Sequence, residues 1–179
     1  MSREEHEAYW QSHLGEFIAI PLGEQFGFAR CVKGGLFAFY NLLSATTPPI
    51  EEIRRREVLF TLCCSGDHLT RKIWTVIGQE PLEAELAGSP VFVRNPEGSD
   101  YIDIYRDGAF RPYAGEDLTK LDILAVWDEP SHVEERLLNQ LTGKPCRFAR
   151  SARVRPELAE RAYREYWAKH GGPPRSTPA

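Results

Sequence analysis

Three apolar segments in the first quarter of the chain, separated only by short glycine-containing turns, restrict the fold more than any other feature. Residues Phe17–Leu22, Phe26–Val32 and Leu36–Leu43 are rich in the aromatic and aliphatic side chains that favour β-strands. The turns between them, Gly23-Glu24 and Lys33-Gly34-Gly35, permit the positive φ angles that tight hairpins require. The sequence therefore predicts an antiparallel meander of three strands.

Beyond the meander, short strands and short helices follow one another. Further strands are predicted at Val58–Cys64, Lys72–Ile77, Val91–Arg94, Tyr101–Arg106, Ala109–Phe110 and Ile123–Trp127, with Asp107-Gly108 as a two-residue hairpin turn. Helices are predicted at Ser2–His13, Ile50–Arg56, Pro81–Leu86, Ser131–Leu141 and from Pro156 onward, with Ser131 and Glu134 as a capping box. This order predicts an α+β fold: a bent antiparallel β-sheet, or a small partly closed barrel, with short connecting helices and C-terminal helices packed on it. We expect the strand at Tyr101–Tyr105 to extend the same sheet.

The chain divides by composition into four segments. These are a helical lead-in at residues 1–14, an α+β domain at 15–143, a basic helical extension at 144–170 and a disordered tail at 171–179. The charged N-terminus has no apolar stretch behind it, and the chain contains no run of eighteen apolar residues. We therefore expect a soluble cytoplasmic protein without a membrane anchor.

Charge is distributed unevenly along the chain. Residues 1–143 carry 13 basic and 23 acidic side chains, a net of −10, whereas residues 144–179 carry nine basic and three acidic ones, a net of +6. The densest acidic stretch is 97–135, with eleven acidic and three basic side chains. Such a surface repels nucleic acid and attracts a basic partner. The basic extension is expected to dock on the acidic body, so the sequence does not predict a nucleic-acid partner.

Cys63, Cys64, Asp67 and His68 form a cluster with the residue types of a nucleophile, its base and an orienting acid. The apolar strand that Cys64 ends favours a buried and inert thiol instead. The scattered histidines and the spacing of the aspartates do not match a known metal motif, and glycine-rich phosphate loops are also lacking. The sequence therefore predicts neither catalytic residues nor a metal or cofactor site. Asp103 is expected on a solvated strand face with Tyr101 and Tyr105, opposite Ile102 and Ile104.

Four strings in one order resemble a known family. They are Gly15-Glu-Phe-Ile-Ala-Ile-Pro-Leu22, Phe37-Ala-Phe-Tyr40, Val58-Leu-Phe-Thr-Leu62 and Trp74-Thr-Val-Ile-Gly-Gln-Glu-Pro-Leu82. Their order resembles the immunity protein 26 family of bacterial polymorphic-toxin systems, small intracellular proteins that neutralise a toxin delivered by a neighbouring cell. The resemblance implies a non-catalytic inhibitor that binds a cognate toxin domain, over approximately residues 15–127.

The acidic stretch supplies the candidate partner-binding residues. Carboxylates for electrostatic steering and tyrosines for anchoring are both typical of binding surfaces. The set is Asp100, Tyr101, Asp103, Tyr105, Asp107, Glu116, Asp117 and Asp122. If the toxin is a nuclease, these carboxylates would occupy its basic substrate groove as phosphate mimics.

Two other functions stay open on the residues alone. One is a small β-barrel adaptor module unrelated to toxins, in which Phe37–Tyr40 and Trp74 line a peptide groove. The other is an enzyme that uses Cys63 or Cys64 together with His68.

Overall fold

The computed structural model describes residues 2–33, 35–88, 90–95, 102–106, 109–118, 121–147 and 154–171. The strands are β1 (Glu16–Leu22), β2 (Gln25–Lys33), β3 (Leu36–Tyr40), β4 (Val58–Cys64), β5 (Thr75–Gln79), β6 (Phe92–Arg94), β7 (Asp103–Arg106), β8 (Ala109–Pro112) and β9 (Val126–Trp127). The helices are α1 (Arg3–Ser12), α2 (Ile50–Arg54), α3 (Asp67–Thr70), α4 (Ala84–Ala87), α5 (Pro130–Leu141) and α6 (Pro156–His170). The predicted α+β class is confirmed.

The chain forms two compact units. The first unit comprises Met1–Ser89 and Ala125–Ala149, and the second comprises Pro90–Leu124 and Arg150–Ala179. Within the described ranges, no helix is long and apolar enough to cross a membrane.

The first unit is built on a six-stranded sheet with the order β5-β1-β2-β3-β4-β9. Neighbouring strands are antiparallel except β4 and β9, which run parallel. The sheet is open among the described residues, so the predicted bent sheet is present and the alternative of a partly closed barrel is not. Pro21 lies beyond the residues of β1 that pair with β5, where its missing N–H costs no ladder hydrogen bond.

Both faces of this sheet are covered, which explains why β1, β2 and β3 contain long runs of buried residues instead of alternating ones. On one face, Ile18, Ile20, Phe37 and Phe39 pack with side chains from α1 and α5. On the other face, a second cluster includes Ile53 of α2. The meander is therefore the hydrophobic centre of the unit.

One predicted helix cap is absent from the structure, and another forms elsewhere. Helix α5 begins at Pro130, whose fixed φ suits a first helical position. The Ser131 hydroxyl donates to Glu129 at 3.1 Å, so the predicted Ser131–Glu134 capping box is wrong. A reciprocal capping box forms instead at the start of α1, where Ser2 and Glu5 bond to each other's backbone N–H groups.

The second unit contains a separate three-stranded antiparallel sheet with the order β6-β7-β8. The expectation that the Tyr101–Tyr105 strand extends the first sheet is therefore wrong for its described part. One face of the small sheet carries Val93 and Ile104, which pack with Leu158 and Ala159 of α6. The basic helix thus docks on the acidic stretch, as its apolar stripe predicts.

A buried arginine lies on the second face of the large sheet. Arg30 of β2 has no solvent exposure, and its guanidinium lies 4.3 Å from the centre of the Phe17 ring. It donates to the backbone oxygens of Glu80 and Pro81 at 2.8 and 2.7 Å and forms an ion pair with Glu83. We call residues 80–83, held in this way, the clamped segment.

Gly15 supplies a third backbone acceptor for Arg30. Its carbonyl accepts a hydrogen bond from Arg30 Nε at 3.3 Å, and its φ is +82°. A Cβ at this position would lie 2.1 Å from the Glu80 carbonyl oxygen. Only glycine therefore allows the backbone to approach the clamped segment this closely.

Replacing Arg30 tests the clamp. Arg30→Met keeps much of the apolar stem but leaves the carbonyls of Glu80 and Pro81 without their donor. We expect the free energy of unfolding to fall by about 3 kcal/mol, measured by urea denaturation followed by circular dichroism. The control is Arg55→Met, which removes an exposed pair with Glu51 and should change stability by about 0.5 kcal/mol or less. Equal stability losses in the two variants would contradict a clamping role.

Candidate functional site

Three of the four cysteines, Cys31, Cys63 and Cys64, lie in surroundings that suppress nucleophilic chemistry. Cys64 is buried among apolar side chains, and this burial raises the pKa of its thiol well above the usual value. Burial, followed by the charge of Asp128, also raises the pKa of Cys63. Cys31 has a pKa raised to about 12, first by burial and then by Glu16. Because the thiolate is the reactive form, these thiols are held in their unreactive state at neutral pH.

His68 is committed to a structural role beside them. Its side chain has no solvent exposure and its ring lies 4.3 Å from that of Trp74, centre to centre. Nδ1 lies 2.7 Å from the Ser65 carbonyl oxygen, and because a carbonyl only accepts, Nδ1 carries the proton and donates. Burial lowers the pKa of His68, so the neutral ring is the form that the fold accommodates.

The residues of the alternative peptide groove belong to the core. Phe37, Phe39 and Tyr40 are at most 1% exposed, and Trp74 is 2% exposed. The Trp74 ring contacts those of Phe37 and Phe39 edge-on, and its Nε1 donates to Glu134 at 3.2 Å. A peptide cannot reach these side chains without opening the sheet, which removes the basis of the adaptor hypothesis.

Two of the candidate partner-binding carboxylates are buried in the second unit. Asp103 is only 2% exposed and forms an ion pair with Arg94 on the neighbouring strand. The expectation that Asp103 lies on a solvated face is therefore wrong, because the arginine opposite neutralises and covers it. Asp122 is 8% exposed, and its backbone carbonyl accepts from Val93 N–H at 2.9 Å.

The other described candidates keep part of their surface. Tyr105 and Asp117 are half-buried. Glu116 organises its own loop, since it pairs with Arg111 at 2.5 Å and accepts from Ala114 N–H at 2.9 Å. Asp100, Tyr101 and Asp107 lie outside the described residues. As a partner-binding set, these residues stay a prediction.

Metal binding finds no support in the described part of the chain. Among those residues, no group of three or more His, Cys, Asp or Glu side chains is placed so that it could hold a metal ion.

The sequence prediction named Asp103 and Tyr105 but missed two side chains on the same face of the small sheet, Arg94 and Phe110. Phe110 of β8 is directly opposite Tyr105 of β7, with ring centres 5.2 Å apart, and it is 44% exposed. The Arg94 guanidinium lies 4.0 Å from the centre of the Phe110 ring and is held from the other side by Asp103. We call Arg94, Tyr105 and Phe110, with Asp103 behind them, the Phe110 patch.

The turn sequence already contained a signal for this patch. A two-residue Asp107-Gly108 loop places Arg106 opposite Ala109 and Tyr105 opposite Phe110, which is the register observed. The contribution of Arg94 could not be read in this way, since it requires knowing that β6 pairs with β7 and not with a strand of the large sheet.

Comparison with known proteins gives one match. Residues 13–99 match the model of the family described as Immunity protein 26, which confirms the resemblance found in the sequence. No curated protein and no solved structure matches the chain.

The buried His68 makes stability depend on pH. Its pKa is about 6.5 in the unfolded chain and lower in the fold, so its contribution is complete above about pH 6.5. Below that value the unfolded chain takes up a proton that the folded one excludes, and stability falls until the pH reaches the folded pKa. The carboxylates of Glu134, Asp128 and Asp67 nearby oppose this shift without reversing it.

The measurement is urea denaturation at about pH 7.5 and pH 5.5 for the wild type and for His68→Gln. Glutamine does not titrate, so the variant should lose less stability on acidification than the wild type. Equal losses in the two proteins would mean that His68 titrates normally in the fold.

Proposed function

From the match of residues 13–99 to the immunity protein 26 family, we propose that the protein binds a cognate bacterial toxin domain and neutralises it without catalysis, in the cytoplasm of the cell that makes it. The family match is the observation that carries this proposal. The surroundings of Cys63, Cys64 and His68 support it, because they favour inert thiols and a neutral structural histidine over a catalytic pair.

Binding through the acidic stretch is the finer form of the proposal. Asp103 and Asp122 are buried, so they would not contact the toxin directly but would orient neighbouring side chains. Direct contact would then come from the partly exposed Glu116 and Asp117, together with Asp100, Tyr101 and Asp107. For a toxin that is a nuclease, these carboxylates would meet the basic groove that otherwise binds phosphates.

Co-expression tests the immunity function. The gene is co-expressed with a candidate cognate toxin domain, and growth and co-purification of the two proteins are measured. We expect the full chain to restore growth and to form a stable complex with the toxin domain. A toxin that still kills the cells and does not co-purify with the chain would contradict the proposal.

Charge reversal tests the acidic surface separately. Asp117→Lys should slow association with the toxin domain several-fold at low salt, and the difference should shrink at high salt, because screening weakens steering. The matched control is Glu24→Lys, an exposed carboxylate in the β1–β2 turn of the first unit, for which we expect no change beyond that of net charge. Association rates are measured by stopped-flow fluorescence. If both substitutions slow association equally, net charge alone explains the effect and Asp117 is not part of the binding surface.

A further inference from the structure

We propose that the Phe110 patch is a docking point for the cognate toxin, and that the toxin presents a carboxylate beside an apolar group to it. The inference rests on the proposed function and adds a partner chemistry that the acidic stretch does not predict. It is carried by the arrangement of an exposed aromatic ring, a fixed arginine and a buried carboxylate on one face of the small sheet.

The arginine of the patch is held in place before any partner arrives. Asp103, 2% exposed, forms an ion pair with Arg94, and Phe110 supports the flat side of the guanidinium at 4.0 Å. The Arg94 side chain is still 43% exposed. An arginine fixed in this way loses little side-chain entropy on binding, and its planar group suits carboxylate recognition.

Phe110 differs from a scattered surface hydrophobic residue. Isolated exposed apolar side chains are common and require no explanation. Phe110, however, forms a continuous surface with Tyr105 at 5.2 Å and with Arg94. Tyrosine and arginine are among the residue types most enriched where binding energy is concentrated, and phenylalanine is enriched at interfaces.

The exposed charge beside Phe110 defines the partner. Arg94 lies on the face of the small sheet that carries Phe110, whereas strand alternation places Arg106 and Arg111 on the opposite face. The Arg94 side chain is 43% exposed, while its ion-pair partner Asp103 is only 2% exposed. The guanidinium is therefore the charge that the described part of this face exposes, although the stretch of sequence that follows it is acidic. An acidic group on the toxin is complementary to it.

The partner is expected to lie across the face of the sheet and not along its edge. All four residues of the edge strand β8 are exposed, but the strand is short and contains Arg111 and Pro112. Charges and proline on an edge strand discourage the addition of a further strand. Side chains on the face that carries Phe110 are thus the contact that remains.

A pair of substitutions at Phe110 tests both the location and the charge of the contact. Phe110→Gln removes the aromatic ring without adding charge. Phe110→Glu also removes the ring and adds a negative charge, in a side chain of nearly the same shape as glutamine. Binding of the purified, catalytically inactivated toxin domain to the full chain is measured by calorimetry at low and high salt. We expect Kd to rise about tenfold for Phe110→Gln and about a hundredfold for Phe110→Glu, with the gap between the two shrinking at high salt.

Two further variants separate binding from folding. Arg94→Lys keeps a cation beside Asp103 but loses the planar stack on Phe110, and we expect Kd to rise about tenfold at unchanged thermal stability. The matched control is Val76→Ala, which shortens a side chain exposed to 42% in the first unit and should leave Kd within about twofold.

The outcomes are distinct. If the wild type binds the toxin and the Phe110 and Arg94 variants bind it equally well, the docking point is refuted while the immunity function stands. A variant Phe110→Glu that binds as well as Phe110→Gln would refute the acidic partner. Substitutions that dissociate oligomers of the chain alone, seen by light scattering, without changing toxin binding would make the patch a self-interface and overturn the proposal. A wild type that does not bind the toxin domain and gives no protection overturns the proposed function together with this inference.

Discussion

The first unit depends on the burial of one charge. Arg30 lies on a sheet face that is otherwise apolar, and its guanidinium is accommodated because carbonyl groups from Gly15, Glu80 and Pro81 surround it and Glu83 neutralises it. Those acceptors come from two places in the sequence that are about 65 residues apart. The first and last of the four family strings, Gly15–Leu22 and Trp74–Leu82, therefore meet at a single side chain.

The sequence predicts features that depend on local interactions and misses those that depend on contacts between distant segments. The strand Val58–Cys64 was predicted with its exact bounds, and the meander strands within a few residues, because alternation and glycine turns act locally. The neighbours of a strand depend on distant segments. Alternation in Tyr101–Arg106 correctly indicated a strand, but the strand belongs to the small sheet and not to the large one. The burial of Arg30 was equally out of reach, because it depends on the return of residues 80–83 across β2.

For a related reason, charge counting does not show which carboxylates of the acidic stretch reach the surface. Composition counts every carboxylate equally, whereas the structure buries Asp103 and Asp122 and uses Glu116 to hold the loop that contains Arg111. Each buried or paired carboxylate is removed from the exposed total, while arginines, with their longer side chains, keep part of their surface in water even when paired. A stretch with a net negative charge can thus expose an arginine whose partner carboxylate is buried, as at Arg94 and Asp103. The sign of a local surface is a property of side-chain pairing and not of composition alone.

The family match ends before two residues of the Phe110 patch, Tyr105 and Phe110. The match ends at residue 99, so it covers β1 to β6 but neither β7 nor β8. Arg94 is inside the matched range, whereas Tyr105 and Phe110 are outside it. A scaffold inside the match that presents side chains from outside it allows the recognition surface to change while the fold is kept. Arg94 lies at the boundary between the two: it belongs to the matched part of the chain, but Asp103 and Phe110, which hold its guanidinium, lie beyond that part.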